Sequence, residues 1–202
     1  MSDFYTITVY PVGFPVTLQE AKDFMRVTST AEDDLIQAYI ETATEQLESY
    51  TGQYFIERTV NGDFSNFLVA YKTEIYPFVK LRRAPLKSVT SVQVSSGGSF
   101  IDQDFQIKKH NHGFSRILFP SFDTSLDDIP YPLQIVFVAG YGDSDAVPER
   151  IKTAIKEYVN FLYRNRGDCL DPGACGVLNQ SGGIPPQIKA LVSSYRIIEV
   201  FA

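Results

Sequence analysis

The side chains of this 202-residue chain that stand at chemically useful spacings form incomplete sets. His110 and His112 would place both rings on one face of a strand. No cysteine, third histidine or carboxylate follows at metal-ligand spacing, so they read as residues of a hairpin tip. Cys169 and Cys175 lie in a Gly-rich segment; a disulfide framework uses more cysteines and a zinc site needs two further ligands, so they read as reduced thiols. Gly140 and Gly142 follow a strand-like run, but the third glycine of a dinucleotide loop is replaced by Asp145. With Asp143 beside it, this carboxylate opposes phosphate, and the glycines read as turn residues.

Two carboxylate pairs raise the question of acid–base work. Asp33 and Asp34 fall in the first turn of a helix, where negative charge complements the helix dipole. Asp127 and Asp128 precede Ile129-Pro130, a loop signature. There is no Gly-x-Ser-x-Gly, no HExxH and no Walker loop, and neither cysteine has a histidine nearby in sequence. The residues therefore name no catalytic, cofactor-binding or metal site, and no cofactor is expected.

One basic cluster, Lys80, Arg82, Arg83 and Lys87, flanks Leu81 and the turn at Pro85. It is either a strand edge protected by charge or a patch that meets a partner.

The hydrophobic share of 44% and charged share of 21% describe a globular chain, long enough to bury a sizeable core without disulfides or metal. The net charge of -6 argues against wrapping nucleic acid, because phosphate neutralisation supplies most of that affinity. No apolar run is long enough to span a bilayer, and Met1–Tyr10 has no basic region leading into an apolar core. No membrane partner is expected, and the protein is expected to stay in the compartment where it is made.

These residues need elements to position them. Thr17-Leu18-Gln19-Glu20 has the form of a capping box and predicts a helix from about Leu18 to Arg26. Thr30-Ala31-Glu32-Asp33 repeats the signal, and Leu35, Ile36, Tyr39, Ile40, Ala43, Leu47 and Tyr50 recur at helical spacing up to Gly52. From Tyr54 the period changes. The runs 55–64, 75–81, 88–94, 104–109, 114–119 and 133–139 read as antiparallel strands, with turns at Asn61-Gly62, Gly97-Gly98 and His112-Gly113. After Gly142 the helical period returns, with Pro148 in the first turn and Ile151, Ala154, Ile155, Tyr158, Val159, Leu162 and Tyr163 on one face. A loop over 167–184 and a short helix from about Pro186 to Ser193 complete the order. The expected class is α+β: a small helical core of three to four helices (17–52 and 146–202) with an inserted antiparallel β region (54–142), all in one domain, 1–202.

Three stretches carry a resemblance. The first is Val16 to Lys22, Glu32-Asp33-Asp34-Leu35-Ile36 and Ala43 to Gly52; the second is Leu81 to Val89. The third is Ala139-Gly140-Tyr141-Gly142, Val147-Pro148, Leu162 to Arg166, and the tail Ser194-Tyr195-Arg196. In order and spacing they resemble the head–tail connector, or adaptor, proteins of tailed phages, prophages and gene transfer particles. The Gly167 to Gly183 segment departs from the family pattern.

The resemblance implies a non-enzymatic virion protein, made in a bacterial host cytoplasm, that assembles as a twelvefold ring at the head–tail junction. Its implied partners are copies of itself, the portal protein, and a tail, stopper or tail-terminator protein. Double-stranded DNA would pass through the lumen without specific binding. On that reading the assembly interface falls to Lys80, Arg82, Arg83 and Lys87, to acids such as Glu32 and Asp33, and to Tyr195 and Arg196. Two alternatives remain. A DNA-binding or DNA-terminus protein of the packaging apparatus would be retained on heparin at physiological salt. An enzyme without a recognisable motif would need a cleft with perturbed titratable groups.

Overall fold

A computed structural model describes residues 4–65, 77–109, 114–120, 129–165 and 183–197. His110, His112, Asp127, Asp128, both cysteines and residues 167–182 of the expected loop lie outside them. The fold is α+β, as the sequence periods predict. The chain divides into two compact units: the described parts of 4–11, 57–141 and 197–202 form a β unit, and those of 12–56 and 142–196 a helical one.

Eight strands are present among the described residues of the β unit: β1 (Phe4–Val9), β2 (Arg58–Phe64), β3 (Phe78–Leu81), β4 (Leu86–Ser96), β5 (Ser99–Asp102), β6 (Gln106–Lys108), β7 (Ser115–Leu118) and β8 (Leu133–Ala139). They form an antiparallel five-stranded sheet of order β1-β2-β8-β4-β5 and a three-stranded sheet of order β3-β7-β6. Alternation fixes the register. Val60 and Phe64 on β2, Leu133, Ile135, Phe137 and Ala139 on β8, and Val92 and Val94 on β4 are all buried and share one face.

The opposite face carries a polar row. Asp63, Gln134, Gln93 and Asp102 stand opposite one another across four strands. Gln134 Nε2 donates to Asp63 at 3.0 Å and Gln93 Nε2 to Asp102 at 2.9 Å.

Two expectations are corrected in this unit. Asn61-Gly62 is no turn but the middle of β2, paired to β1 and β8 on either side. A side chain at Gly62 would meet the Phe64 ring at 2.9 Å and the Tyr5 ring at 3.4 Å, so this glycine makes room for two aromatic rings. Strands β1 and β5 were not foreseen. The Gly97-Gly98 turn is as expected, with φ of 62° and 83° joining β4 to β5.

The helical unit contains α1 (Leu18–Met25), α2 (Asp33–Thr51), α3 (Glu149–Arg164) and α4 (Pro186–Val192) among its described residues. Helix α1 starts with the predicted capping box: Thr17 Oγ1 accepts from the Glu20 N–H, and Glu20 Oε2 accepts from the Thr17 N–H at 2.7 Å. Helix α2 ends at Gly52 in the left-handed conformation, as expected. Its start differs. Glu32 is the N-cap with no side-chain cap bond, and no second capping box forms because the chain turns tightly from Thr30 to Asp33.

The stripe of α2 is also rotated from the expected one. Ile36, Ile40, Ala43, Thr44, Leu47 and Thr51 are buried, while Leu35 is exposed. Helix α3 packs on α1, α2 and α4 with Ile151, Ala154, Ile155, Tyr158 and Val159 buried, and Pro148 stands one position before its first turn.

Candidate assembly surface

The basic cluster belongs to the β unit, but its members have different surroundings. Lys80 lies on β3, and Arg82 and Arg83 lie in the connection to β4. The Arg82 N–H donates to the Tyr5 hydroxyl at 3.2 Å, and the Arg83 guanidinium lies 5.6 Å from the Tyr5 ring centroid. Tyr5 of β1 thus orders this corner with both its ring and its hydroxyl. Lys87 forms an ion pair with Glu57, and Lys109 Nζ donates to the Lys87 carbonyl at 2.6 Å.

Strand register adds residues that sequence reasoning missed. Lys80 stands opposite Arg116 on β7, and Arg116 stands opposite Lys108 on β6, so three cations cross one face of the small sheet. Like charges directly opposite are unfavourable. Part of that cost is met by the Arg116 guanidinium lying 4.7 Å from the Phe78 ring centroid on the same face. The signal in the sequence was only an alternation of basic and apolar residues at 106–109 and 115–118, and nothing local joins those segments to Lys80.

The remaining named residues lie in the helical unit. Glu32 accepts from the Tyr163 hydroxyl and Asp33 pairs with Lys22, so both acids already tie α2 to other helices. Tyr195 lies in a 3-10 turn, and its carbonyl accepts from Gln53 Nε2 at 2.7 Å. The Arg196 guanidinium lies 5.1 Å and Lys189 Nζ 5.7 Å from the Tyr50 ring centroid. The contacts of Tyr195 and Arg196 fix the C-terminal stretch on the helical unit.

Two titratable groups depart from their ordinary range, and the fold accounts for both. The backbone N–H of Thr17 holds the Glu20 carboxyl below its usual value. Burial pushes the Tyr158 hydroxyl up to about 12. Tyr158 lies between Gln46 Oε1 and the Gly183 carbonyl, 2.6 Å from the latter, and its single proton serves one of them at a time. Asp143, weighed above as a phosphate-opposing acid, caps a 3-10 turn by accepting from the Ala146 N–H. Gly140 and Gly142 have positive φ, as turn residues do. A groove of about 400 Å³ between α3 and α4 is lined by Glu157, Phe161, Arg164 and Gln187 among others. No cluster of three or more metal-ligating side chains occurs among the described residues.

The chain matches the Phage gp6-like head-tail connector protein family over residues 15–79. The connector resemblance read from the sequence is borne out over that stretch, which takes in α1, α2 and β2. No curated protein matches the sequence.

Solved structures share the whole fold. A chain from the neck of an empty gene transfer agent particle with C6 symmetry is 20% identical, with a TM-score of 0.74 over 98% of both chains. A chain from the virion of a native gene transfer agent particle is 17% identical, with a TM-score of 0.74 over 98% of this chain and 97% of that one. A third, from the neck of the native particle with C12 symmetry, is 19% identical, with a TM-score of 0.59 over 97% of this chain and 98% of that one. At these identities the likeness is one of fold.

Proposed function

We propose that this chain is a structural subunit of the head–tail junction of a virion, a connector and not an enzyme. The observation that carries the reading is the connector-family match over the α1–α2 region. Chains of particle necks that share the fold from end to end support it.

The subunits close into a ring, which we set at twelve copies. One face of the ring meets the portal and the other a tail or stopper protein. Ring closure requires one surface patch to meet a different patch on the neighbour. The cations Lys80, Arg82, Arg83 and Lys87 provide one such patch, and acids of the Glu32 region and the Tyr195-Arg196 corner are candidates for the other. DNA passes without being held: the net charge of -6 supplies no phosphate-neutralising surplus.

Electron microscopy of the purified chain, alone and mixed with its portal, tests the reading. Rings, free or seated on portals, are expected. A chain that stays monomeric in both preparations would overturn it.

A further inference from the structure

The carboxylates of α2 fall into two sets. From Val27 to Ile56 the chain carries Glu32, Asp33, Asp34, Glu41, Glu45 and Glu48 and no cation. Half of them are engaged inside the helical unit: Glu32 with the Tyr163 hydroxyl, Asp33 with Lys22, and Glu48 Oε1 with the Phe55 N–H at 2.7 Å. Asp34, Glu41 and Glu45 are exposed, and among the described residues no hydrogen bond or ion pair holds their carboxylates. Seven and then four residues apart, they share one stripe of the helix with exposed Ala38 among them, a ridge about 16 Å long. Like charges four apart on a helix repel, so Glu41 and Glu45 cost stability in an isolated subunit.

The β unit carries the opposite excess. From Pro77 to Leu118 the only acids are Asp102 and Asp104, outnumbered by lysines and arginines. On the three-stranded sheet Val79, Leu81 and Ile117 turn one face to the core, and the other face bears the row of Lys80, Arg116 and Lys108. Crossing three strands, the row is about 10 Å long. Lys108 is exposed; Lys80 and Arg116 are half-buried and also interact within their own chain. An ammonium carries three donors and a guanidinium five, more than a single partner uses.

We infer that the cation-bearing face of this sheet seats the α2 ridge of the neighbouring copy, with Lys80, Arg116 and Lys108 of one subunit facing Asp34, Glu41 and Glu45 of the next. The inference rests on the ring proposed above and moves its acidic partner from Glu32 and Asp33, which are used inside the subunit, to the three outward carboxylates. Complementary charge selects this occupant. Each row repels itself when alone, and each is relieved by the other. The two patches are different surfaces on different units, as a closed heterologous ring requires.

Two charge-reversed variants test this. One carries Glu41→Lys and Glu45→Lys, the other Lys80→Glu and Lys108→Glu; Asp34 and Arg116 are left in place because they serve the start of α2 and the Phe78 ring. Either variant alone brings like charges together at every contact, so neither should form rings under the electron microscope while both keep the wild-type melting midpoint. Mixed in equal amounts they should close rings again, the two kinds of subunit alternating as an even-numbered ring allows. Should Lys80→Glu lower the midpoint, Lys108→Glu alone takes the place of the second variant. Rings from either variant by itself, or a mixture of two folded variants that stays unassembled, would overturn the pairing and leave the ring reading intact. Absence of rings from the wild-type protein, free and with portal, would overturn both.

Discussion

Lys22 Nζ lies 2.5 Å from Asp33 Oδ1, which fastens the start of α2 to α1 through a lysine that is only 6% exposed. Removing the carboxylate would leave a largely buried ammonium without its counter-charge, a costlier state than one lacking both groups. Asp33→Asn is therefore expected to lower stability by about 1–3 kcal/mol in urea unfolding, and Lys22→Met/Asp33→Asn by less than that. A double variant no more stable than the single one would contradict the pairing.

Ile155 is fully buried on the face of α3 that packs within the helical unit. Ile155→Asp places an unpaired charge there and should cost more than about 4 kcal/mol, enough to unfold a marginally stable unit. Thermal melts followed by circular dichroism read this directly; an unchanged midpoint would exclude Ile155 from the core.

The capping box of α1 makes stability depend on acid. Because the folded state holds Glu20 below its unfolded value, its contribution is fully present above the ordinary carboxylate range near 4.5 and is lost as pH falls through the lower folded value. Glu20→Gln should flatten that part of the stability profile below neutral pH. Thr17→Ala, which removes the hydroxyl cap, should cost about 1 kcal/mol at pH 7.

At the alkaline end Tyr158 acts in the opposite direction. With the folded hydroxyl raised to about 12 from an ordinary value of 10.0, its stabilisation is complete below pH 10 and declines between there and about 12, as the unfolded chain ionises first. Tyr158→Phe removes this decline and also the hydrogen bond to Gly183, so the variant should be about 1 kcal/mol less stable at pH 7 but less sensitive above pH 10. Denaturant midpoints measured across pH 7 to 11 separate the two effects.

Arg82 and Arg83 should respond differently to charge reversal. Arg82 is exposed, so Arg82→Glu is expected to weaken association with portals and leave the melting temperature within a degree or two. Arg83 lies over the Tyr5 ring, and Arg83→Glu should also destabilise the β unit. Portal binding unchanged by either variant at low and moderate salt would reduce the cluster to a charged strand edge.

The helical elements were legible because their signals are local. The Thr17–Glu20 box, the glycine at 52 and the stripe around Ile155 each lie within a few turns of one helix. The β unit was legible in outline only. Asn61-Gly62 has the chemistry of a tight turn, but strands from distant parts of the chain, β1 and β8, pair with both sides of it, and that long-range pairing overrides the local preference. Strand β1 is separated from its partner by two helices, so nothing near it announces a sheet. The cation row of Lys80, Arg116 and Lys108 exists only once register is known. Asp33 was read as a helix-start acid and an interface candidate, and its pairing was missed because its partner Lys22 belongs to a different helix.

The order in which the units are completed along the chain bears on biosynthesis. Strand β8 closes the five-stranded sheet at Ala139, whereas the helix that covers α1 and α2 does not begin until Glu149. During translation the helices that open the chain must therefore wait, apolar faces uncovered, until all eight described strands have been synthesised. A chain truncated after residue 145 and released from the ribosome would show protease-resistant strands beside helices still open to cleavage and chaperone binding.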